Sequence, residues 1–250
     1  MSAALRTSGL SKSFGDFKAN RDISLAFATG ARHALIGPNG AGKTTFINLL
    51  TGALPPSAGD VFLGEERVTA LPQHARVRRG MTRTFQINTL FPGLTTLESV
   101  VLAALERRRH GGVWWRTVAR ERDALDDAGE ILRRLKLERD AETPTRALPY
   151  GKQRLLEIAL ALATRPTVLL LDEPAAGIPA AESAELFQVI AQLPRDVTVI
   201  FIEHDMGLVF RFAERITVLV GGAVLIEGTP EEIAADARVR EVYLGEAQHA

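Results

Sequence analysis

Gly37-Pro38-Asn39-Gly40-Ala41-Gly42-Lys43-Thr44-Thr45 fits the pattern G-x-x-x-x-G-K-[ST]. The spacing has a chemical reason. Glycines let successive backbone N–H groups turn inward and form a nest for phosphate oxygens. A helix starting near Lys43 adds the positive end of its dipole. Lys43 then reaches the outer phosphates, and Thr44 offers a hydroxyl to Mg²⁺. The flanks agree with this reading: Ala31–Ile36 reads as a buried strand entering the loop, and Phe46-Ile47-Asn48-Leu49-Leu50 continues a helix leaving it. Nucleotide binding is the expectation.

A second stretch carries complementary chemistry. Val168-Leu169-Leu170-Leu171-Asp172-Glu173 is a continuous apolar strand ending in two carboxylates. Such runs belong to parallel sheets covered on both faces, and ligands of open α/β sheets gather at the carboxyl ends of the strands. Asp172 suits a hard cation, and Glu173 suits orienting or activating an attacking water. Val197–Ile202 is another buried strand, with His204 just beyond it.

Bulk properties narrow the function classes. The 250 residues are 46% hydrophobic and 24% charged, a globular composition. Lys+Arg and Asp+Glu are both 30, so no bulk positive field points to nucleic acid. With no cysteine there is no disulfide or thiolate chemistry. Residues 1–9 lack the apolar core of a signal peptide, and no apolar run reaches the roughly 20 residues of a membrane helix. The expectation is a soluble chain whose work at any membrane needs a partner.

Along the chain, Leu5–Leu10 is a strand candidate, Ser11–Asp16 a turn, and Asp22–Ala28 an alternating half-buried strand. Thr95-x-x-Glu98 is a capping box. Leu125, Ala128, Leu132 and Leu135 form an apolar stripe within Arg120–Lys136, and Lys152–Thr164 is a further helix. Arg215–Val220 and Ala223–Glu227 form a hairpin, and Pro230–Leu244 a helical tail. The predicted architecture is one domain over 1–250. Its α/β core covers 1–86 and 166–250, with a helical subdomain at 87–165.

The order of these stretches resembles an ABC-transporter ATPase subunit, most closely the ATP-binding subunits of branched-chain amino acid importers. The supporting segments are His33–Gly40, Arg83-Thr84-Phe85-Gln86, Leu90–Thr95, Asp172–Gly177, Ile202–Met206 and Val242–Gly245. The resemblance implies a P-loop, RecA-like α/β fold with an N-terminal antiparallel β region, ATP and Mg²⁺ as ligands, and ATP hydrolysis that drives import. It implies Lys43, Glu173 and His204 as catalytic. Thr44, Gln86 and Asp172 would serve the metal. The nucleotide would lie on Gly37, Pro38, Asn39, Gly40, Ala41, Gly42, Lys43, Thr44 and Thr45, with Phe14 stacking on adenine and Phe17 the other candidate. Gln86 would also link the site to the membrane partner. Leu148, Pro149, Tyr150, Gly151 and Lys152 stand where the family carries its signature segment, which binds the nucleotide of the opposite subunit.

That segment departs from the usual Leu-Ser-Gly-Gly-Gln. Pro149 has neither the serine hydroxyl nor a backbone N–H, while Lys152 adds a positive charge. Pro179 replaces a common Asp or Asn in a loop that normally crosses the dimer interface. The expectation is therefore a heterodimer, with a homodimer as the alternative, in which the site built on Lys43 does most of the hydrolysis. Further implied partners are two permease subunits and, indirectly, an extracytoplasmic binding protein, with no nucleic acid. The expected location is peripheral, on the cytoplasmic face of the inner membrane. Arg107–His110 and Trp114-Trp115 read as a solvated basic turn and ordinary packing tryptophans, with contact to permease loops or lipid headgroups as the alternative. The alternatives are the ATPase of an exporter, such as one moving lipopolysaccharide, and a soluble ATPase acting on nucleic acid or ribosomes.

Overall fold

The computed structural model describes residues 3–84, 90–107 and 122–246. Its chain forms two compact units, Met1–Met81 with Thr167–Pro174 and Pro194–Ala250, and Thr82–Pro166 with Ala175–Leu193.

The first unit is built on a sheet whose apolar strands the sequence announces. β4 (Arg32–Ile36), β8 (Val168–Asp172), β9 (Thr198–Ile202) and β10 (Arg215–Val220) run parallel, and β11 (Ala223–Gly228) returns antiparallel beside β10. The strand order is β11-β10-β4-β9-β8-β7, with β7 at Met81–Arg83. Every residue of β4 and β9 is buried, as covering both faces of a parallel sheet requires. Leu35 pairs with Ile202, and Ile202 with Asp172. The register therefore brings the carboxyl ends of three strands side by side.

The antiparallel region is a second sheet, ordered β2-β1-β5-β6, with β3 also on β1. β1 covers Ala3–Phe14, β2 Phe17–Ile23, β3 Ala26–Ala28, β5 Ala58–Leu63 and β6 Glu66–Arg67. It differs from the sequence reading twice. Ser11–Phe14, expected in a turn, belongs to β1, because β2 supplies backbone partners up to Phe14 opposite Phe17. The polar residues there are tolerated through two register shifts. Asp22–Ala28, expected as one strand, breaks between Ile23 and Ala26. The Thr7 hydroxyl donates to the Ile23 carbonyl at 2.9 Å and accepts from the Leu25 N–H at 3.0 Å, which bends the chain around it.

α1 (Lys43–Thr51) leaves the phosphate loop and buries Phe46, Ile47, Leu49 and Leu50 in the core shared with Leu35, Leu170 and Ile200. A short α2 (Gln73–Val77) follows. Downstream of β9 come α7 (Met206–Phe212), α8 (Pro230–Ala235) and α9 (Ala237–Glu246). The predicted single tail helix is thus two, because Asp236 leaves the helical conformation and accepts from the N–H groups of Arg238 and Val239.

The second unit is helical. α3 (Thr96–Arg107) starts at the predicted capping box: the Thr95 N–H donates to Glu98 at 2.8 Å, and the Glu98 N–H to the Thr95 hydroxyl at 3.2 Å. α4 (Arg122–Arg134) buries Ala124, Ala128 and Leu132 along its apolar stripe. α5 (Tyr150–Ala163) begins two residues earlier than predicted, and α6 (Ala180–Ala191) buries Leu186 and Phe187. Arg107 pairs with Asp127 at 3.0 Å. The remainder of the basic stretch, Arg108–His110, and Trp114-Trp115 lie outside the described residues.

Candidate functional site

The phosphate loop is held from below by backbone. Gly42 sits at φ +94° as the residue before α1, and a Cβ there would lie 2.4 Å from the Ala19 carbonyl oxygen. The same approach lets the Asn20 amide donate to the Gly42 carbonyl at 3.2 Å. On the other side the Gly222 N–H donates to the Ala41 carbonyl at 3.1 Å, and the Arg21 N–H to the Gly222 carbonyl at 2.7 Å. The turn between β10 and β11 and the strand β2 thus buttress the loop together. No sequence motif announces Ala19, Asn20 or Gly222, since their contribution is a backbone approach.

Above this support, Gly37 and Ala41 are buried, whereas Asn39, Gly40 and Thr44 are exposed; Pro38 and Thr45 are intermediate. Lys43 is buried, and its ammonium donates to the carbonyls of Gly37 at 2.6 Å and Pro38 at 3.0 Å. These bonds fold the side chain back along the loop, so its charge is concentrated where a phosphate would enter.

Asp172 ends β8 and Glu173 follows it. Among the described residues, Glu173 is one of four non-glycine residues with positive φ, at +49°. A non-glycine residue in that region costs roughly 1–3 kcal/mol and is characteristic of functional sites. Its N–H donates to the Ile202 carbonyl at 3.0 Å, which holds the turned backbone against β9. The turn presents the carboxylate to His204, whose Nε2 lies 2.8 Å from Glu173 Oε1. A carboxylate only accepts, so this contact makes Nε2 the protonated ring nitrogen. Both side chains are about half exposed, at 43% for Glu173 and 50% for His204. Asp205 caps α7 by accepting from the Leu208 N–H, which anchors the turn that carries His204.

Phe14 and Phe17 face each other across the β1–β2 turn, and both are exposed, at 51% and 65%. The Lys12 ammonium sits 5.2 Å from the Phe14 ring centroid. Because β2 also touches Gly42, the aromatic turn and the phosphate loop belong to one continuous support. The oxygen donors Thr44 and Asp172 are the type Mg²⁺ takes, and Mg²⁺ needs only one or two protein ligands when phosphates supply the rest. The exposed loop backbone with its buried lysine equally fits a triphosphate. Gln86 lies outside the described residues.

The signature-like segment belongs to the helical unit. Pro149 is the N-cap residue of α5, with extended backbone and no side-chain capping bond. Leu148 is buried, and Gln153 donates its side-chain amide to the Leu148 carbonyl at 2.9 Å. The Tyr150 hydroxyl donates to the Ala176 carbonyl at 3.2 Å and accepts from Arg154 at 3.1 Å. Arg154 also pairs with buried Glu157 at 3.0 Å; burial pushes the Glu157 carboxyl up, and this bond pulls it back down. Gly151 faces Glu182: a Cβ there would sit 2.7 Å from that carboxylate. Lys152 donates to both oxygens of Asp140, at 2.8 and 2.7 Å. Its charge is already engaged within its own unit, a partner that spacing along the sequence did not suggest.

Comparison with known proteins converges on one family. The ABC transporter family profile matches residues 20–176. A profile for the branched-chain amino acid ATP-binding cassette transporter matches 224–249. The high-affinity branched-chain amino acid transport ATP-binding protein BraF of Pseudomonas aeruginosa is 40% identical, over 97% of this chain and 98% of its own. Its counterpart LivG of Escherichia coli K12 is 39% identical over the same shares. The ADP conformation of MJ1267, an ATP-binding cassette of an ABC transporter, superposes with a TM-score of 0.87 at 29% identity, covering 98% of this chain and 99% of that one. The dimeric cassette MJ0796 gives 0.74 at 26% identity, covering 90% and 98%. The chain therefore belongs to the ATP-binding, ATP-hydrolysing subunits of ABC transporters, among the branched-chain amino acid transport ATP-binding proteins.

Proposed function

We propose that this chain is the ATPase of an importer for branched-chain or related amino acids, working at the cytoplasmic face of the membrane against two permease subunits fed by an external binding protein. Among the described residues no helix is long and apolar enough to cross a membrane, so the membrane step falls to those partners. The observation that carries the reading is the convergence of loop, strand end and histidine within one unit. The phosphate loop follows β4, Asp172 ends β8 with Glu173 next to it, and His204 follows β9, on neighbouring parallel strands.

The chemistry follows from the geometry. The loop N–H groups and Lys43 bind the triphosphate and stabilise the charge that grows on it during transfer. Glu173 orients the attacking water and accepts its proton. The bond from His204 holds that carboxylate in place and leaves the imidazole beside the γ-phosphate. Phe14 stacks on the base. Thr44, Asp172 and Gln86 would hold Mg²⁺, which would neutralise charge on the phosphates. In this reading the chain is one ATPase domain over 1–250, with an α/β core at 1–86 and 166–250 and a helical subdomain at 87–165.

The finer assembly is a heterodimer with unequal sites. Leu148–Lys152, lent to the partner's nucleotide, offers no hydroxyl at Pro149, and its lysine is tied to Asp140. The site on Lys43 keeps its full set and does most of the hydrolysis. Lys43→Ala tests the core of this reading. ATP affinity of the chain and ATPase of the assembled pump should both fall, hydrolysis by about 10²–10³; unchanged values would remove the nucleotide from the loop.

A further inference from the structure

The far end of the phosphate-loop helix carries a feature the mechanism has not used. Arg76, on α2, is 1% exposed and heads the fully buried side chains by volume. Its guanidinium donates to the Leu49 carbonyl at 2.8 Å and to the Leu50 carbonyl, both in the last turn of α1. It also donates from Nε to the Leu71 carbonyl at 3.0 Å and from its other terminal nitrogen to the Thr69 carbonyl at 2.7 Å. Among the described residues no carboxylate pairs with it.

A buried cation without a counter-ion is costly. Here its compensation is the negative end of the α1 dipole and the carbonyls a helix leaves unpaired at its C-terminus. The planar fork suits the task, because one group reaches α1 and the 69–71 turn together. Gly52, which ends α1, allows the approach: a Cβ there would lie 2.8 Å from Arg76 Nε. The same helix ends at Gly42 and Lys43 on its other side, about 13 Å away along nine residues.

We infer that Arg76 is a positioning residue for nucleotide binding: it clamps the last turn of α1 to the 69–71 turn, so that the loop N–H groups and Lys43 at the first turn are held at a fixed angle to the phosphates. The loop end of α1 is already held by β2 and the β10–β11 turn, so without the clamp the last turn is the free end. Its swing tilts the helix axis and with it the first-turn N–H groups, where small misplacements weaken every phosphate contact together. The inference rests on the loop being the nucleotide site.

The test uses the full-length chain, ATP with a chelator present to prevent turnover, and calorimetric titration at a temperature well below unfolding. Arg76→Lys keeps the charge but loses the fork; Arg76→Met loses both. ATP affinity should fall about fivefold in Arg76→Lys and at least tenfold in Arg76→Met. Leu132→Ala, a buried truncation in α4, serves as a variant of comparable thermal loss and should leave affinity within twofold. Folded Arg76 variants with affinity within twofold of the parent overturn the inference. So does a Leu132→Ala loss of equal size, or failure of both Arg76 variants to fold. Lys43→Ala is measured alongside. If Lys43→Ala abolishes binding while the Arg76 variants do not, only the clamp falls. If Lys43→Ala leaves binding intact, the nucleotide reading falls first.

Discussion

Two helices in this chain begin where phosphates would be expected, and they begin differently. α1 opens from a glycine loop with exposed backbone at Asn39 and Gly40, and a buried lysine curled over it. α5 opens from a proline, with Tyr150 fastened to Ala176 and Arg154, and Lys152 fastened to Asp140. Neither N-cap residue makes a side-chain capping bond. What separates them is the fate of nearby polar groups. Around α1 the Lys43 ammonium is held on the loop's own carbonyls beside exposed backbone, the arrangement proposed above for the triphosphate, and around α5 the polar groups are committed to one another. A helix N-terminus is a potential anion site only to the degree that its surroundings leave it one.

The contrast can be broken most forcefully at Glu173. With the assembled transporter, Glu173→Gln should lower steady-state ATPase by about 10²-fold or more, the scale of losing a general base. The matching change in the second ATPase subunit should cost only a few-fold. Equal losses from the two would erase the proposed inequality of sites.

A smaller effect sharpens the α5 side. Pro149→Ser supplies a hydroxyl and a backbone N–H, and Asp140→Asn releases Lys152. Combined, they should raise the turnover attributable to the partner's site a few-fold. The readout is the ATPase that persists when Glu173→Gln silences this chain's own site. No gain in that background would mean the α5 end is not a weakened phosphate contact.

The smallest effect concerns the scaffold under α1. His33, on β4, is 1% exposed and bonded to Thr217 at 2.7 Å; burial first, then the nearby Arg215 charge, lowers its pKa to about 3. The unfolded chain titrates this group near its ordinary value of about 6.5. Between these values the unfolded state binds more protons, so stability falls as pH drops below about 6.5 and levels off near about 3, by at most about 1.4 kcal/mol per pH unit. Thermal unfolding from pH 8 to pH 5 should show this slope, and His33→Gln should flatten it. An unchanged slope in that variant would assign the acid sensitivity elsewhere.

The unequal legibility of the two helix starts has a physical cause. Gly37–Thr45 advertises itself because its work requires particular residue types at fixed intervals, and the apolar runs Val168–Leu171 and Val197–Ile202 reveal a parallel sheet by the same logic. The Lys152–Asp140 pair and the Arg76 clamp join residues that no periodicity links; the second connects a five-residue helix to carbonyls 26 and 27 residues earlier. The strand ends at Phe14 and Ile23 were likewise set by partners across the sheet rather than by local composition. The positive φ of Glu173 has no signature at all, since glutamate carries no preference for that conformation.

The joint between Gly42 and the Ala19–Asn20 stretch of β2 has one more implication. The turn proposed to stack on the base and the loop proposed to hold the phosphates rest on the same strand, so β2 sets the distance between them. An amino-acid change in the middle of β2, remote from any phosphate in the sequence, would be felt as weaker grip on the triphosphate and leave the choice of base alone.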